Sequence, residues 1–212
     1  MADVSAIRRV LSFWFPPEGW DLHSAPSAEA AKKAWSGSAE LDEEMRDKFG
    51  ALLESLAKGE LESWKAEGSD GRLAYVVLCD QFTRNVYRKQ GRAFSLDYKS
   101  QAVVKELLAS EPGWMRRCRR QEVYQFLLVL MHSESLEDGQ ECLRLCHEFL
   151  ALCEEDKSGA WVETARGVLK FQKEHLEQIS KFGRYPGRNA ALDRVSTPEE
   201  LEFLKSGHTF GQ

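Results

Sequence analysis

The sequence has few of the residues that mark several common architectures. Its 212 residues include only five cysteines and six prolines. A small, odd number of cysteines does not supply a disulfide framework, and a disordered or collagen-like chain would carry far more proline and glycine. We therefore expect a globular protein with free thiols, as found in reducing compartments, and predict a cytoplasmic location.

Long apolar runs and an excess of basic charge are also missing. The longest apolar run, Phe126 to Met131, is far shorter than the roughly 18 residues that a transmembrane helix needs. The first residues lack the basic and apolar stretches of a signal peptide, so we expect neither a leader nor a membrane association. The net charge is −5, with 29 Lys and Arg against 34 Asp and Glu. This balance argues against nucleic acid as a partner.

What the sequence does contain is a helical hydrophobic period along most of its length. Apolar residues recur at steps of three and four, and no segment alternates as a strand would. No linker divides the chain, so residues 1–212 are predicted to form a single helical domain. We predict an all-α fold of about eight to nine helices, stacked as antiparallel pairs around one core. No strict 34-residue repeat is visible, so a regular solenoid is not demonstrated.

Turn and capping signals place the helix ends. Asp3 and Ser95 are predicted N-caps, a helix is predicted to start after Ser38, and Gly183 is predicted to end a helix. The clearest start is Thr197, because Pro198 and Glu200 follow it in a capping-box pattern. The predicted helices lie within residues 4–15, 27–35, 38–59, 61–64, 73–88, 95–111, 119–132, 135–155 and 161–182, with a last one from 197.

The first polar group interrupts an apolar helix. On a helix Asp80, Arg84 and Arg88 share one face, with Gln81 and Asn85 beside them. Because the stripe follows a run that is apolar all round, we expect it to be partly buried, where charges must be paired. Two interpretations stay open. The charges form a structural network, or Arg84 and Arg88 receive a carboxylate or phosphate while Asp80 orients them.

A second polar group, His132 and Glu134, follows the most apolar helix. His132 is a candidate general acid or base, and Glu134 could raise its basicity. The alternative is a histidine that interacts favourably with the helix C-terminus, while Ser133 or Ser135 caps the next helix.

The third group consists of His175 and the turn that carries Arg184, Arg188 and Asn189. The Pro186-Gly187 pair predicts a tight turn that could aim both guanidiniums at one point. Alternatively, the arginines cap helix carbonyls at the surface.

Other clusters point to no chemistry of their own. Three cysteines on one helix, Cys142, Cys146 and Cys153, are interpreted as small core residues, and no metal site is predicted. The arginines between Arg116 and Arg120 could contact RNA or an acidic partner, but a solvated helix start is the simpler interpretation. Nucleotide-loop and hydrolase motifs are absent, and we predict no cofactor.

These motifs together resemble domain-of-unknown-function family 924, in the same order along nearly the whole chain. The resemblance rests on the stretches Val10–Phe15, Arg72–Arg88, Arg92–Asp97, Met131–Glu134, His175–Asn189 and Ser196–Glu200. It implies a tetratricopeptide-like helical fold and no assigned activity.

Three positions depart from what is typical of the family. Ser135 stands where an acidic residue usually follows the His-Ser-Glu motif. Gly187 replaces a bulkier residue in the turn, and Asp193 replaces the glycine of a Leu-Gly-Arg sequence. The first change weakens a mechanism with two carboxylates beside His132, and the others leave the shape of the turn open.

The motifs of the family are polar and fall on the three groups already described, which favours a pocket for a small anionic ligand. We therefore predict an anion-binding helical domain, and a cofactor-independent enzyme with histidine acid–base chemistry and an arginine clamp is one form that it could take. The alternative is a scaffold that holds a peptide or protein on a concave helical surface. A pocket requires the three groups to meet, whereas a scaffold spreads them along a groove. The catalytic candidates are His132, Glu134, Asp80 and His175, and the ligand-binding candidates are Gln81, Arg84, Asn85, Arg88, Arg184, Arg188 and Asn189.

Overall fold

The fold is known from a computed structural model, which describes residues 3–15 and 38–206. These residues form helices and turns, with no strand among them. The predicted all-α class with about eight to nine helices is therefore confirmed, whereas the predicted helix at residues 27–35 lies outside the described ranges. The α-helices are α1 Val4–Trp14, α2 Ala39–Ala57, α3 Gly68–Val77, α4 Thr83–Val86, α5 Asp97–Ser110, α6 Trp114–Arg117, α7 Arg120–Met131, α8 Leu136–Glu155, α9 Val162–Phe182 and α10 Pro198–Leu204.

Most helix ends follow the predicted signals. The side chains of Asp3, Ser38 and Thr197 each accept a backbone N–H at the start of a helix, and Thr197 forms a complete capping box with Glu200. Gly183 ends α9 in a left-handed conformation, with φ of 69°. The prediction for Ser95 is wrong. Its hydroxyl donates to the carbonyl of Arg92, because a 3₁₀ turn occupies residues 91–94 and delays the helix start.

The core is a continuous cluster of buried apolar side chains drawn from α1 to α9. Helices α8 and α9 form an antiparallel pair. The rings of Phe149 and Trp161 meet 6.3 Å apart near one end, and Nε2 of Gln172 donates to the carbonyl of Gly139 (2.7 Å) near the other. This packing agrees with the predicted helix pairs. A single domain over residues 1–212 and a tetratricopeptide-like arrangement stay predictions.

The described residues hold all five cysteines, and each is a buried free thiol. None of the helices in these ranges combines the length and apolar character needed to cross a bilayer.

Candidate functional site

The site begins where α3 widens into a π-helical turn, Leu78–Phe82, before continuing as α4. π-Turns inside α-helices recur at functional sites. Three consecutive carbonyls of this turn, those of residues 79–81, accept side-chain hydrogen bonds from Thr83 (2.7 Å), Arg84 (2.6 Å) and Asn85 (3.0 Å) respectively. Each donor lies four residues beyond its acceptor. Local polar side chains thus hold the turn, which carries Asp80 and Gln81 into the core.

Asp80 forms a buried pair with His132. Nδ1 of His132 lies 2.8 Å from Oδ1 and 3.0 Å from Oδ2 of the Asp80 carboxylate, which also accepts a short hydrogen bond from the amide of Gln81. Only 1% of Asp80 and 7% of His132 is exposed. His132 reaches this position because it is the C-cap of α7, the helix whose apolar side chains fill the centre of the core.

The charges around this pair define its protonation state. Burial would raise the pKa of Asp80, but Arg84 and His132 outweigh burial and hold that pKa well below its usual range. Burial lowers the pKa of His132, and Arg84 and Arg188 add to the effect against the opposing influence of Asp80. A neutral His132 donates its Nδ1 proton to the carboxylate. Its Nε2 makes no hydrogen bond within the described residues, so it presents a lone pair.

Arg84 is held by two carboxylates. Its Nη1 lies 3.0 Å from Oδ1 of Asp80, and its Nη1 and Nη2 donate to Asp97 at 2.8 and 2.9 Å. These partners raise the pKa of Arg84 despite the effect of burial. Asp97 was not predicted as a site residue. The available signal was its place in the Arg92–Asp97 stretch, which belongs to the family resemblance.

Arg188 is the second buried guanidinium of the site, with 3% of the residue exposed. Its central carbon lies 4.7 Å from the ring centre of Phe94 and 4.5 Å from that of Tyr185. Its Nη1 is 3.8 Å from Oδ2 of Asp97. Burial, together with the like charge of Arg84, lowers the pKa of Arg188 to about 10, so it remains a cation at neutral pH.

A close backbone contact brings Phe94 and Arg188 to the same place. A Cβ atom on Gly91 would lie 2.7 Å from the carbonyl oxygen of Ala191, so only glycine allows this approach. The 3₁₀ turns Gly91–Phe94 and Pro186–Arg188 are thereby held side by side.

His175 completes the cluster from α9. Its ring centre lies 6.4 Å from that of His132 and 5.5 Å from that of Tyr185. Its Nδ1 donates to the carbonyl of Phe171 (2.7 Å), which fixes the tautomer of the neutral ring. Burial lowers the pKa of His175 to about 3, so the ring is uncharged at neutral pH.

Arg88 lies elsewhere, contrary to the predicted stripe. It makes a bidentate ion pair with Asp42 of α2, at 2.6 and 2.9 Å, and donates to the side chain of Asn85 at 2.8 Å. The prediction required one regular helix through residue 88. Helix α4 ends at Val86, so the four-residue spacing no longer places Arg88 beside Arg84.

Arg184 and Asn189 also point away from the Asp80–His132 pair. Arg184 makes a bidentate pair with Glu200, at 2.7 and 2.8 Å, and Asn189 donates to Ser196 and Glu200. Glu200 is the residue that completes the capping box of α10. These contacts attach α10 to the turn after α9.

Glu134 holds the turn that carries Arg188. Its carboxylate accepts the backbone N–H of Tyr185 (2.9 Å) and makes a bidentate pair with Arg194, at 2.9 and 2.8 Å. Asp193, which replaces a typical family glycine, adopts a left-handed φ of 52°, a conformation that Asp tolerates better than most residues. The turn therefore keeps the shape that a glycine would favour. Ser135, the other departure with a local role, caps α8.

The fold and the site define a helical protein with a buried Asp–His pair, two adjacent guanidiniums and a second neutral histidine. The sequence profile of the family described as "Bacterial protein of unknown function (DUF924)" matches residues 10–208, and the chain belongs to this family. The solved structure of a protein of unknown function from Agrobacterium tumefaciens is similar to this fold, with a TM-score of 0.70 at 24% identity. The match covers 97% of this chain and 100% of that one. No curated protein matches the sequence.

Proposed function

We propose that the protein binds a small anionic molecule beside Arg188 and uses His132 as an acid–base group upon it. The bond between His132 and Asp80 carries this proposal. It orients the imidazole and leaves Nε2, the ring nitrogen with the lone pair, for proton transfer. A scaffold has no need of a neutral histidine oriented by a buried carboxylate.

The surrounding charges support an anionic ligand. Arg188 lies close enough to His132 to lower the pKa of that histidine. On the other side of the cluster, Arg84 donates a hydrogen bond to Asp97. The side chains of Arg84 and Asp97 are 14% and 12% exposed, so solvent reaches this edge. Proton transfer by His132 would serve hydrolysis, elimination or isomerisation of such a ligand.

The alternative of a peptide-binding scaffold has less support. Asp80, His132, His175 and Arg188 are all buried and lie together, whereas a scaffold would spread polar side chains along an exposed surface. The buried free thiols support the cytoplasmic location that we propose for the protein.

Thermal denaturation with a panel of carboxylates, phosphates and sulfate tests the proposal. A bound anion stabilises the folded state by mass action, so at least one member should raise the Tm of the wild type in proportion to the logarithm of its concentration. Arg188→Met should abolish the shift. Arg144→Met is the matched control, since Arg144 lies on the surface of α8 in pairs with Glu141 and Glu148, and it should keep the shift. A wild type that responds to no anion would reduce the cluster to a structural network.

A further inference from the structure

A row of partly exposed apolar side chains runs along each helix of the α8–α9 pair. On both helices the row repeats at steps of seven residues, which is two helical turns. Leu136 is 46% exposed, and the other members are half-buried or lie at the edge of the core. We call the two rows together the outer seam, and its members are Leu136, Leu143 and Leu150 on α8 and Val162, Leu169 and Leu176 on α9.

The two rows lie side by side, on a different face of the pair from the candidate site. A Cβ atom on Gly139 would lie 3.0 Å from Cδ1 of Leu176, so the start of α8 meets the end of α9 at the seam. His175, whose ring lies near that of His132, precedes Leu176 and is therefore turned about 100° away around α9. The outer seam is thus separate from the histidines of the candidate site.

The spacing of the outer seam is typical of helices that pack on further helices. Apolar residues at every seventh position keep one stripe of a helix facing its partner along a left-handed supercoil. Two antiparallel helices that share such a stripe form half of a four-helix bundle. The apolar surface that α8 and α9 leave in water is therefore suited to a second pair of helices.

The size of this face favours a partner as wide as the pair itself. Helices of 20 and 21 residues are about 30 Å long, and two helices side by side are about 20 Å wide. The face thus measures about 600 Å², and two copies in contact would bury about 1,200 Å², the lower end of the range for stable complexes. A single helix would cover only part of this width.

The charges of the two helices favour a second copy as that partner. Helix α8 contains six acidic residues and one arginine, a net charge of −5, whereas α9 contains four basic and three acidic residues, a net charge of +1. A two-fold axis parallel to the helices places α8 of each copy against α9 of the other, with all neighbouring helices antiparallel. Arg166 and Lys173, which flank the row on α9, then face the acidic helix of the other copy.

We propose that the outer seam is the interface of a homodimer in which two α8–α9 pairs form an antiparallel four-helix bundle. Both copies use the same surface, so the assembly closes at two chains. Burial of the seam drives the association, and the unlike charges of α8 and α9 select the arrangement.

Sedimentation velocity of the whole chain measures the assembly. We expect a species of twice the 24.2 kDa mass of the chain at about 10 to 100 µM, where an interface of this size is populated. A chain that sediments only as a monomer at about 100 µM overturns the proposal.

Apolar-to-polar variants locate the interface. Leu143→Gln acts at the middle of the seam and occurs twice in a two-fold dimer, so the dissociation constant should rise by at least about tenfold. Leu136→Gln, at an already exposed position, should act in the same direction and decides the result if Leu143→Gln does not fold. Phe171→Gln is the matched control. Phe171 is 52% exposed but lies two residues after Leu169, about 200° around α9, so this variant should dimerise like the wild type.

A charge reversal tests the arrangement of the helices. Lys173→Glu should raise the dissociation constant by about tenfold, because it places a carboxylate against the acidic helix of the other copy twice in each dimer. Lys48→Glu makes the same change at an exposed position of α2 and should leave the constant unchanged. The proposed interface is wrong if Lys173→Glu or both seam variants keep the wild-type dissociation constant, or if Phe171→Gln weakens the dimer as much as they do.

Discussion

Nδ1 of His132 lies 2.8 Å from Oδ1 of Asp80, although 52 residues separate the two in the chain. The bond joins the end of α7 to the π-turn after α3. Both groups are polar, both are buried, and each is the partner that the other needs. The Asp80–His132 pair is therefore both part of the core and the chemical centre of the candidate site.

Arg84→Met should destabilise the protein strongly. The substitution leaves the buried carboxylates of Asp80 and Asp97 without their main cation, so we expect a loss of about 3–5 kcal/mol in the free energy of unfolding. Chemical denaturation measures this loss. Arg166→Met removes an exposed arginine that also pairs with two carboxylates, and it should cost much less. Equal losses of unfolding free energy in the two variants would show that burial of the Arg84 ion pairs does not contribute to stability.

Stability should increase as the pH rises from about 3 to 6.5. His175 has a pKa of about 3 in the folded protein and about 6.5 when unfolded. Between these values the unfolded state binds the extra proton, so the free energy of unfolding falls as the pH decreases, by up to about 1.4 kcal/mol per pH unit. His175→Gln should flatten the curve between pH 6.5 and 5, above the range where Glu62 and Glu200, with pKa values near 2, begin to matter. His147→Gln, at an exposed position on α8, should keep the wild-type slope. The prediction would be contradicted if the free energy of unfolding of His175→Gln changed with pH as steeply as that of the wild type.

All five thiols should be unreactive in the native protein and reactive after unfolding. Burial raises the pKa of Cys118 and Cys153 to about 11 and that of Cys79 and Cys142 well above its usual value, so little thiolate is present at pH 7. Alkylation without reductant, followed by mass spectrometry, should add five labels in denaturant and few under native conditions. Recovery of fewer than five labels in denaturant would reveal a disulfide.

The turn before Arg194 should prefer glycine to a β-branched residue at position 193. Asp193 has a φ of 52°, where a β-branched side chain is strained, so Asp193→Val should lower stability by about 1–2 kcal/mol. Asp193→Gly should stay within about 0.5 kcal/mol of the wild type, because relief of strain offsets the greater freedom of the unfolded chain. Thermal denaturation distinguishes these outcomes, and equal effects of the two variants would contradict the role of the left-handed conformation.

The basic cluster before α7 should not bind RNA. Arg116 pairs with Glu155, Arg117 contacts the carbonyl of Pro112, and Arg119 pairs with Glu122 and Asp70, so carboxylates offset much of its charge. A variant with both Arg116→Gln and Arg117→Gln should fold normally. Fluorescence anisotropy with a labelled single-stranded RNA should show no binding by either protein at physiological salt. Salt-sensitive micromolar binding by the wild type, lost in the variant, would assign this cluster to nucleic acid.

The sequence alone predicted the helical class, most helix ends and the residues at the centre of the site. Local signals suffice where the relevant contacts are local. Thr197 and Glu200 form a capping box because they are three residues apart, and the apolar period shows which side of a helix is buried. Asp80, Arg84 and His132 were recognisable because charged side chains in apolar helices require partners.

The tertiary structure decided which partners they have. Asp42 and Arg88 are 46 residues apart, and no local pattern indicates that they pair. Asp97 and the rings of Phe94 and Tyr185 became site residues only through packing, with the close approach of Gly91 to Ala191 bringing two distant turns together. The end of α4 at Val86 decided the place of Arg88, since helical spacing no longer relates this residue to Arg84. The amino-acid sequence determines which groups must be neutralised, but the three-dimensional packing determines which groups neutralise them, because ion pairs depend on distance in space and not on separation along the chain.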